Sequence, residues 1–306
     1  VMTLYLTFDA LDAGKLKLND RLPVSKFAAG QAPSKLGLKA GSSIRVDDAI
    51  QALVTKSAND VAVVLAEKLA GSEKKFAIKM NDKARELGME STTFYNASGL
   101  PNSRQVTTAR DMAKLAEAIL IDHKDRYTYF ATPRFTYGKR TYKNHNELLA
   151  RVEGVDGIKT GYTNASGYNL MASAKRGEDR VIAVMMGGTT GKSRDAHVAD
   201  LIEAAFLQMG GGDLLAHADL MERLSWGERA NSTADELAAA QLRRFMDAEA
   251  VETAAAVVQS APSVALGAFQ AAASEAFGQG SGGSEVGTEE GDEADAGVAA
   301  EAPADY

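Results

Sequence analysis

The chain has 306 residues, 45% of them hydrophobic and none of them cysteine, so it can bury a sizeable core but can form no disulfide, thiolate metal site or cysteine nucleophile. Its net charge of −7 is uneven: residues 245–306 hold twelve acids and no base, whereas residues 1–244 set 29 acids against 34 bases. The absence of a basic stripe with interleaved aromatics argues against nucleic acid as a partner, and no run reaches the roughly 18 apolar residues of a membrane span.

The chain opens with "VMTLYLTFDAL". Met2, Leu4, Tyr5, Phe8 and Leu11 recur at helical spacing, which predicts an amphipathic helix. No capping residue precedes the run, so the helix reads as entered part-way along. "GKLKLNDRLPVS" alternates around a turn and predicts short extended pieces. Four helices follow between residues 47 and 123. The first is capped by Asp47 or Asp48. The second runs from about Asn59 to Gly71. The third is capped by Ser72 and stopped by Gly88. The fourth is capped by Thr107 or Thr108.

Near residue 134 the character changes. "RFTYGKRTY" shows aromatic alternation, and "GVDGIKTGYT", "GYNLMASAKR" and "DRVIAVMMGG" read as three strands joined by the turns "TNASG" and "RGED". Short connections make them antiparallel neighbours. "KSRDAHVADLIEAAFLQMGG" is a closing helix with a glycine stop. The layout predicts an α/β fold: an antiparallel sheet flanked by helices, with an inserted all-helical lobe. Residues 1–211 form this domain and 212–259 a helical extension. Residues 260–306, rich in Ala, Gly and acids, read as a disordered tail or linker.

Two short motifs could carry chemistry. "KSAND" places Ser57 and Asn59 between two helices, and "GIKTGYT" places Lys159, Thr160 and Gly161 on a strand. Each has a bland reading. Ser-x-Asn between helices is ordinarily an N-cap, and Lys-Thr-Gly at a strand end is ordinarily an edge lysine with a turn glycine. "GGTTGKS" lacks the full phosphate-loop spacing, because Met186 stands where a glycine is needed, and reads as the turn before the closing helix. His123, His145, His197 and His217 show no paired ligand spacing, so neither a metal nor another cofactor is expected.

Taken in order about a hundred residues apart, Ser-x-Asn and Lys-Thr-Gly are the second and third motifs of serine acyl-transferases that react with penicillin. The chain resembles the low-molecular-mass penicillin-binding proteins, the serine D-alanyl-D-alanine carboxypeptidases, from residue 1 to about 210. The resemblance also rests on "MTLYLTFDAL", "FYNASGL", "TTARDMAKLA", "NHNELL" and "VDGIKTGYTNASGYNLMASAKR". It implies the β-lactamase/transpeptidase-like fold, a peptidoglycan stem peptide ending in D-Ala-D-Ala as substrate, β-lactams as inhibitors, and a periplasmic or other extracytoplasmic location.

In this family a Ser-x-x-Lys motif opens the helix that continues into a stretch like "MTLYLTFDAL". Its lysine would fall immediately before Val1 and its serine three residues earlier, so the nucleophile and base are expected to lie outside this chain. Ser72-x-x-Lys75 fits by spelling but follows Ser-x-Asn and reads as a helix cap. The resemblance gives the other residues roles. Ser57 relays the proton to the leaving D-alanine, and Asn59 holds the acyl-side amide. Lys159 is the cation that lowers the base lysine's pKa, and with Thr160 it binds the substrate carboxylate. Gly161 lets the substrate approach the strand, and the Tyr162 N–H is an oxyanion donor. His145 lies near a position where the family often has a basic residue; a surface or core histidine is the alternative.

Two other functions stay open. A serine β-lactamase shares the scaffold, but Ala58 stands in place of the Asp of Ser-Asp-Asn, and no Glu-x-x-Leu-Asn follows. A non-catalytic cell-wall peptide-binding homologue is the third reading. The best-known family members continue into a small β-rich domain and often an amphipathic anchor. The acidic tail here has no apolar face, which leaves membrane attachment open.

Overall fold

The computed structural model describes residues 1–212 together with residues 217, 220, 223 and 224. Helix α1 (Met2–Asp12) is central rather than amphipathic. Besides its apolar side chains, Thr3 and Thr7 are buried, with the Thr3 hydroxyl donating to Ala97 O at 2.6 Å and that of Thr7 to Thr3 O at 2.7 Å. Self-satisfied hydroxyls let the supposed polar face enter the core without orphaned donors. The far end of α1 is pinned by polar contacts. Tyr5 donates to Asp122 at 2.6 Å, and Asp12 meets both His123 (2.8 Å) and Arg126 (2.7 Å).

Of the expected extended pieces only β1 (Arg21–Pro23) forms, followed by the short α2 (Lys26–Ala29). β1 pairs antiparallel with β2 (Ser43–Arg45). β2 runs straight into α3 (Val46–Lys56), so the cap position falls on Arg45, which β1 pairing already holds, and no side chain caps the helix. Asp47 and Asp48, expected as caps, sit in the first turn instead, where their charge complements the helix dipole. Helix α4 (Asn59–Ala70) ends at Gly71, and α5 (Glu73–Glu86) is capped by Ser72, whose hydroxyl accepts from Lys75 N. Helix α6 (Ala109–Asp122) is capped by Thr108. A 3-10 turn, Lys124–Ala131, leads to a hairpin of β3 (Arg134–Tyr137) and β4 (Arg140–Lys143).

The main sheet has the order β5-β6-β7, from β5 (Val155–Thr163), β6 (Gly167–Arg176) and β7 (Asp179–Gly188), all antiparallel. Helix α7 (Gly191–Met209) follows, opened by a reciprocal cap between Thr190 and Ser193, so "GGTTGKS" is indeed the turn into this helix. Strand periodicity divides the core. Ile158, Met171, Ile182 and Val184 face the helical lobe, whereas Leu170, Ala172, Ala174, Val181, Ala183 and Met185 pack on Val198, Ile202 and Ala205 of α7. The result is α7, sheet and helical lobe in three layers. Leu220 is buried in a cluster with Ala204, and Arg223 donates to Asp200 at 2.9 Å. The expected helical extension over 212–259 and tail over 260–306 otherwise lie outside the described residues.

Candidate functional site

The Ser-x-Asn motif is not an N-cap. Ser57 ends α3 with φ 56° and ψ 44°, in the left-handed region, and the N-cap of α4 is Ala58, which has no capping side chain. Ser57 is the one non-glycine residue with positive φ among the described residues. Glycine usually occupies such a C-terminal position, so a serine there carries a backbone cost with no capping benefit. Its hydroxyl makes no hydrogen bond among the described residues.

Around Ser57 the chain is tied to the segment before α3. Asn59 Nδ2 donates to Ala32 O at 3.0 Å, Asn59 N donates to Ser34 O at 2.8 Å, and the Ser34 hydroxyl donates to Lys56 O at 2.9 Å. Asp60 is fully buried and accepts from the backbone N–H groups of Leu36 (2.9 Å), Gly37 (2.9 Å) and Leu38 (3.0 Å). The side chain of Asn59, expected to face substrate, is thus turned in part to holding residues 32–34. Asp60, which the motif reading passed over, fixes the next turn.

The Lys-Thr-Gly motif lies on β5, an edge strand whose outer side no strand pairs with among the described residues. Lys159 is not a solvated edge lysine. It is half-buried and donates to Thr160 O at 2.8 Å. Burial, reinforced by Arg194, lowers its pKa to about 8. Gly161 is not in a turn. It pairs with Asn169 across the sheet, and a Cβ added to it would meet nothing nearer than Asn169 Cβ at 4.0 Å. The fold therefore has room for a side chain there. The Tyr162 ring is exposed, meets the Tyr168 ring at a 40° tilt with centroids 4.4 Å apart, and donates its hydroxyl to Asn164 at 2.9 Å.

His145 is the residue that joins the two motifs. It is half-buried, and its pKa falls to about 4, through burial first and then through the charges of Lys159, Lys56 and Arg194. Its neighbours set its place. Asn146 Nδ2 donates to Gly157 O on β5 at 3.0 Å, and Asn144 Nδ2 donates to Thr132 O at 2.9 Å. The start of α1 reaches the same region. Its first residue, Val1, lies within electrostatic reach of Lys159.

Two further cations escaped the sequence reading. Arg194 of α7 is buried, paired with Asp195 at 2.7 Å and within 3.3 Å of Asn169 O on β6. An adjacent Arg-Asp pair near a helix start reads as a solvated face, so no sequence signal singled it out. Lys56, directly before Ser57, places its ammonium 5.9 Å from the centre of the Tyr142 ring. The site thus gathers Lys56, Lys159 and Arg194 around a neutral imidazole at an open strand edge, an arrangement suited to an anionic, extended ligand.

Residues 1–190 match the family described as D-alanyl-D-alanine carboxypeptidase. The chain is 39% identical over 212 residues to the D-alanyl-D-alanine carboxypeptidase DacF of Bacillus subtilis, covering 68% of this chain and 54% of that protein. It spans about half the length of the curated relatives it matches. Among solved structures it superposes on penicillin-binding protein 5 of Haemophilus influenzae with a TM-score of 0.64 and 33% identity, covering 67% of this chain and 61% of that one. Penicillin-binding protein D2 of Listeria monocytogenes, solved in an ampicillin-bound form, gives a TM-score of 0.58 and 32% identity, covering 67% and 84%. By this match and these likenesses the chain belongs to the D-alanyl-D-alanine carboxypeptidase family.

Proposed function

We propose that this chain carries substrate-binding and proton-transfer residues of a serine D-Ala-D-Ala carboxypeptidase that trims peptidoglycan stem peptides on the extracytoplasmic side. The observation that supports the reading is the half-buried Lys159 beside Thr160 and Gly161 on the open outer edge of β5. His145 feels both Lys159 of Lys-Thr-Gly and Lys56 beside Ser57, with Arg194 behind them. In this reading Lys159 and Thr160 take the terminal carboxylate, and the D-Ala-D-Ala backbone lies along the outer edge of β5 at Gly161. A serine hydroxyl gives its proton to the base lysine and adds to the carbonyl carbon of the penultimate residue, and the resulting tetrahedral oxyanion collapses with cleavage of the C–N bond. Ser57 passes a proton to the departing D-alanine amine, and the Tyr162 N–H supports the oxyanion. Water then cleaves the ester. Asn59 orients the acyl-side amide with whatever hydrogen-bonding capacity its bond to Ala32 leaves free. β-Lactams, which mimic the D-Ala-D-Ala terminus, are the expected inhibitors.

Among the described residues no Ser-x-x-Lys reaches this site, since Ser72 caps α5. The test therefore places a Ser-x-x-Lys turn directly ahead of Val1 and incubates the protein with an N-acetylated tripeptide ending in D-Ala-D-Ala. Free D-alanine and a covalent ampicillin adduct by mass spectrometry are expected, with no release from the L-Ala-L-Ala isomer. If the peptide binds and no D-alanine appears, the peptide-binding reading replaces the enzyme. If a penicillin is turned over and the peptide is not, the β-lactamase reading does.

A further inference from the structure

The hairpin of β3 and β4 has two unlike faces. Strand alternation puts Phe135, Tyr137, Arg140 and Tyr142 on one face and Arg134, Thr136, Thr141 and Lys143 on the other. The first face packs toward α3: Phe135 is buried, and the Tyr142 ring meets Lys56. The second face is exposed throughout. On it the Thr136 and Thr141 hydroxyls lie 2.9 Å apart, and Arg134 stands directly opposite Lys143. Lys139 and Arg140, both exposed, add two more cations at the turn. Residues 127–146 contain no acid. None of the four side chains makes an ion pair or hydrogen bond among the described residues. Arg85 and Arg151, also exposed, do have carboxylates beside them, those of Asp82 and Glu147. Like charges directly opposite each other on a sheet are destabilising, so the Arg134–Lys143 pair costs the fold stability and returns nothing to it. Such a face fits an anionic partner.

The chain itself carries one. Residues 285–305 hold eight carboxylates and no cation, the reverse of the hairpin. They are within reach. Leu220 and Arg223 tie the chain to α7, and 60 residues separate Leu224 from Glu285. Even wound as a helix, at about 1.5 Å per residue, that stretch measures about 90 Å, roughly twice the width of a domain of this size. A tethered segment also meets the hairpin at a higher effective concentration than a free polyanion does. We infer that the outer face of the β3–β4 hairpin, with Arg134 opposite Lys143 and Lys139 and Arg140 at its turn, is the docking surface for the acidic segment 285–305 of the same molecule.

The experiment uses the full chain. Because it has no cysteine, Ala296→Cys gives a unique attachment point for a nitroxide inside the acidic segment. At low salt the amide NMR signals of Thr136, Thr141 and Lys143 should weaken at least about twofold, and they should recover at about 1 M salt, where screening acts within about 3 Å. Arg134→Gln with Lys143→Gln should abolish the broadening without lowering the melting temperature, because it removes a like-charge pair. Lys74→Gln with Lys75→Gln, two exposed lysines of α5, should leave it intact. Broadening that survives both high salt and the hairpin double variant overturns the inference. Equal broadening when nitroxide and isotope label sit on different molecules puts a neighbouring copy's segment on the hairpin and overturns docking within one molecule. No broadening at low salt also overturns it, and if inorganic polyphosphate then shifts the hairpin signals, the surface belongs to an external polyanion.

Discussion

The carboxylate of Asp60 accepts the backbone N–H of Leu36 at 2.9 Å. It also takes those of Gly37 and Leu38, so a single buried side chain closes the turn that flanks the Ser-x-Asn motif. Removing the acceptor leaves buried N–H groups with no partner. Asp60→Ala should cost about 3 kcal/mol, and Asp60→Asn, which keeps one acceptor oxygen, about half of that. Urea unfolding with an unchanged m-value is the check. A loss below about 0.5 kcal/mol in the alanine variant would mean that water replaces the carboxylate without cost.

Ser57 bears a left-handed backbone for no structural return. Ser57→Gly should raise stability by about 1 kcal/mol, and Ser57→Ala should leave it nearly unchanged. In the protein extended by Ser-x-x-Lys, both should lower D-alanine release by at least about tenfold, because both delete the hydroxyl. A glycine variant that gained stability and kept full turnover would remove Ser57 from the proton path.

Gly161 separates folding from binding. Because a Cβ there makes only an ordinary contact with Asn169 Cβ at 4.0 Å, Gly161→Ala should change stability by less than about 1 kcal/mol. In the proposed binding mode the peptide lies along this stretch of β5, and the same methyl should weaken binding of a D-Ala-D-Ala peptide by about tenfold or more. Chemical denaturation and calorimetry on the same sample decide it. Unchanged affinity would move the ligand away from this edge.

Lys159 should set an alkaline limit on binding. With its pKa lowered to about 8, the ammonium is lost as pH rises through that value, and with it the main charge available to a carboxylate. Affinity for a D-Ala-D-Ala peptide should therefore fall between pH 7.5 and 9.5, roughly tenfold per unit above the pKa if charge is essential. Lys159→Arg should flatten that limb. A flat profile in the parent protein would show that the carboxylate is bound without Lys159.

His145 sets the acid limb of stability. Its folded pKa of about 4 lies below the ordinary value of about 6.5, so the unfolded chain takes up the proton first as pH falls. The stabilisation that comes from keeping His145 neutral is complete above about pH 6.5 and is lost between there and pH 4, up to about 3 kcal/mol. His145→Gln should remove that part of the pH dependence in urea titrations. Lys159→Met should raise the His145 pKa measured by NMR, though not to 6.5, because burial is the larger cause.

Much of this protein was legible in the amino-acid order. The strands of the main sheet, their antiparallel pairing, the caps Ser72 and Thr108 and the stop at Gly71 are local signals, since turn length, capping hydroxyls and glycine φ act within a few residues. The motif residues Ser57, Asn59, Lys159, Thr160 and Gly161 were legible because their spacing is a linear property. What only the tertiary structure decided depends on groups far apart in the chain. The burial of α1 on its threonine face follows from hydrogen bonds such as Thr3 to Ala97. The grip of Asp60 on Leu36 and its neighbours, and the turn of Asn59 toward Ala32, join segments more than twenty residues apart. His145 reads in sequence as one histidine among four, and Arg194 as half of a solvated pair. Packing removes water around both and brings Lys56 and Lys159 within electrostatic reach, and it is this desolvation that gives these side chains their charge states in the site.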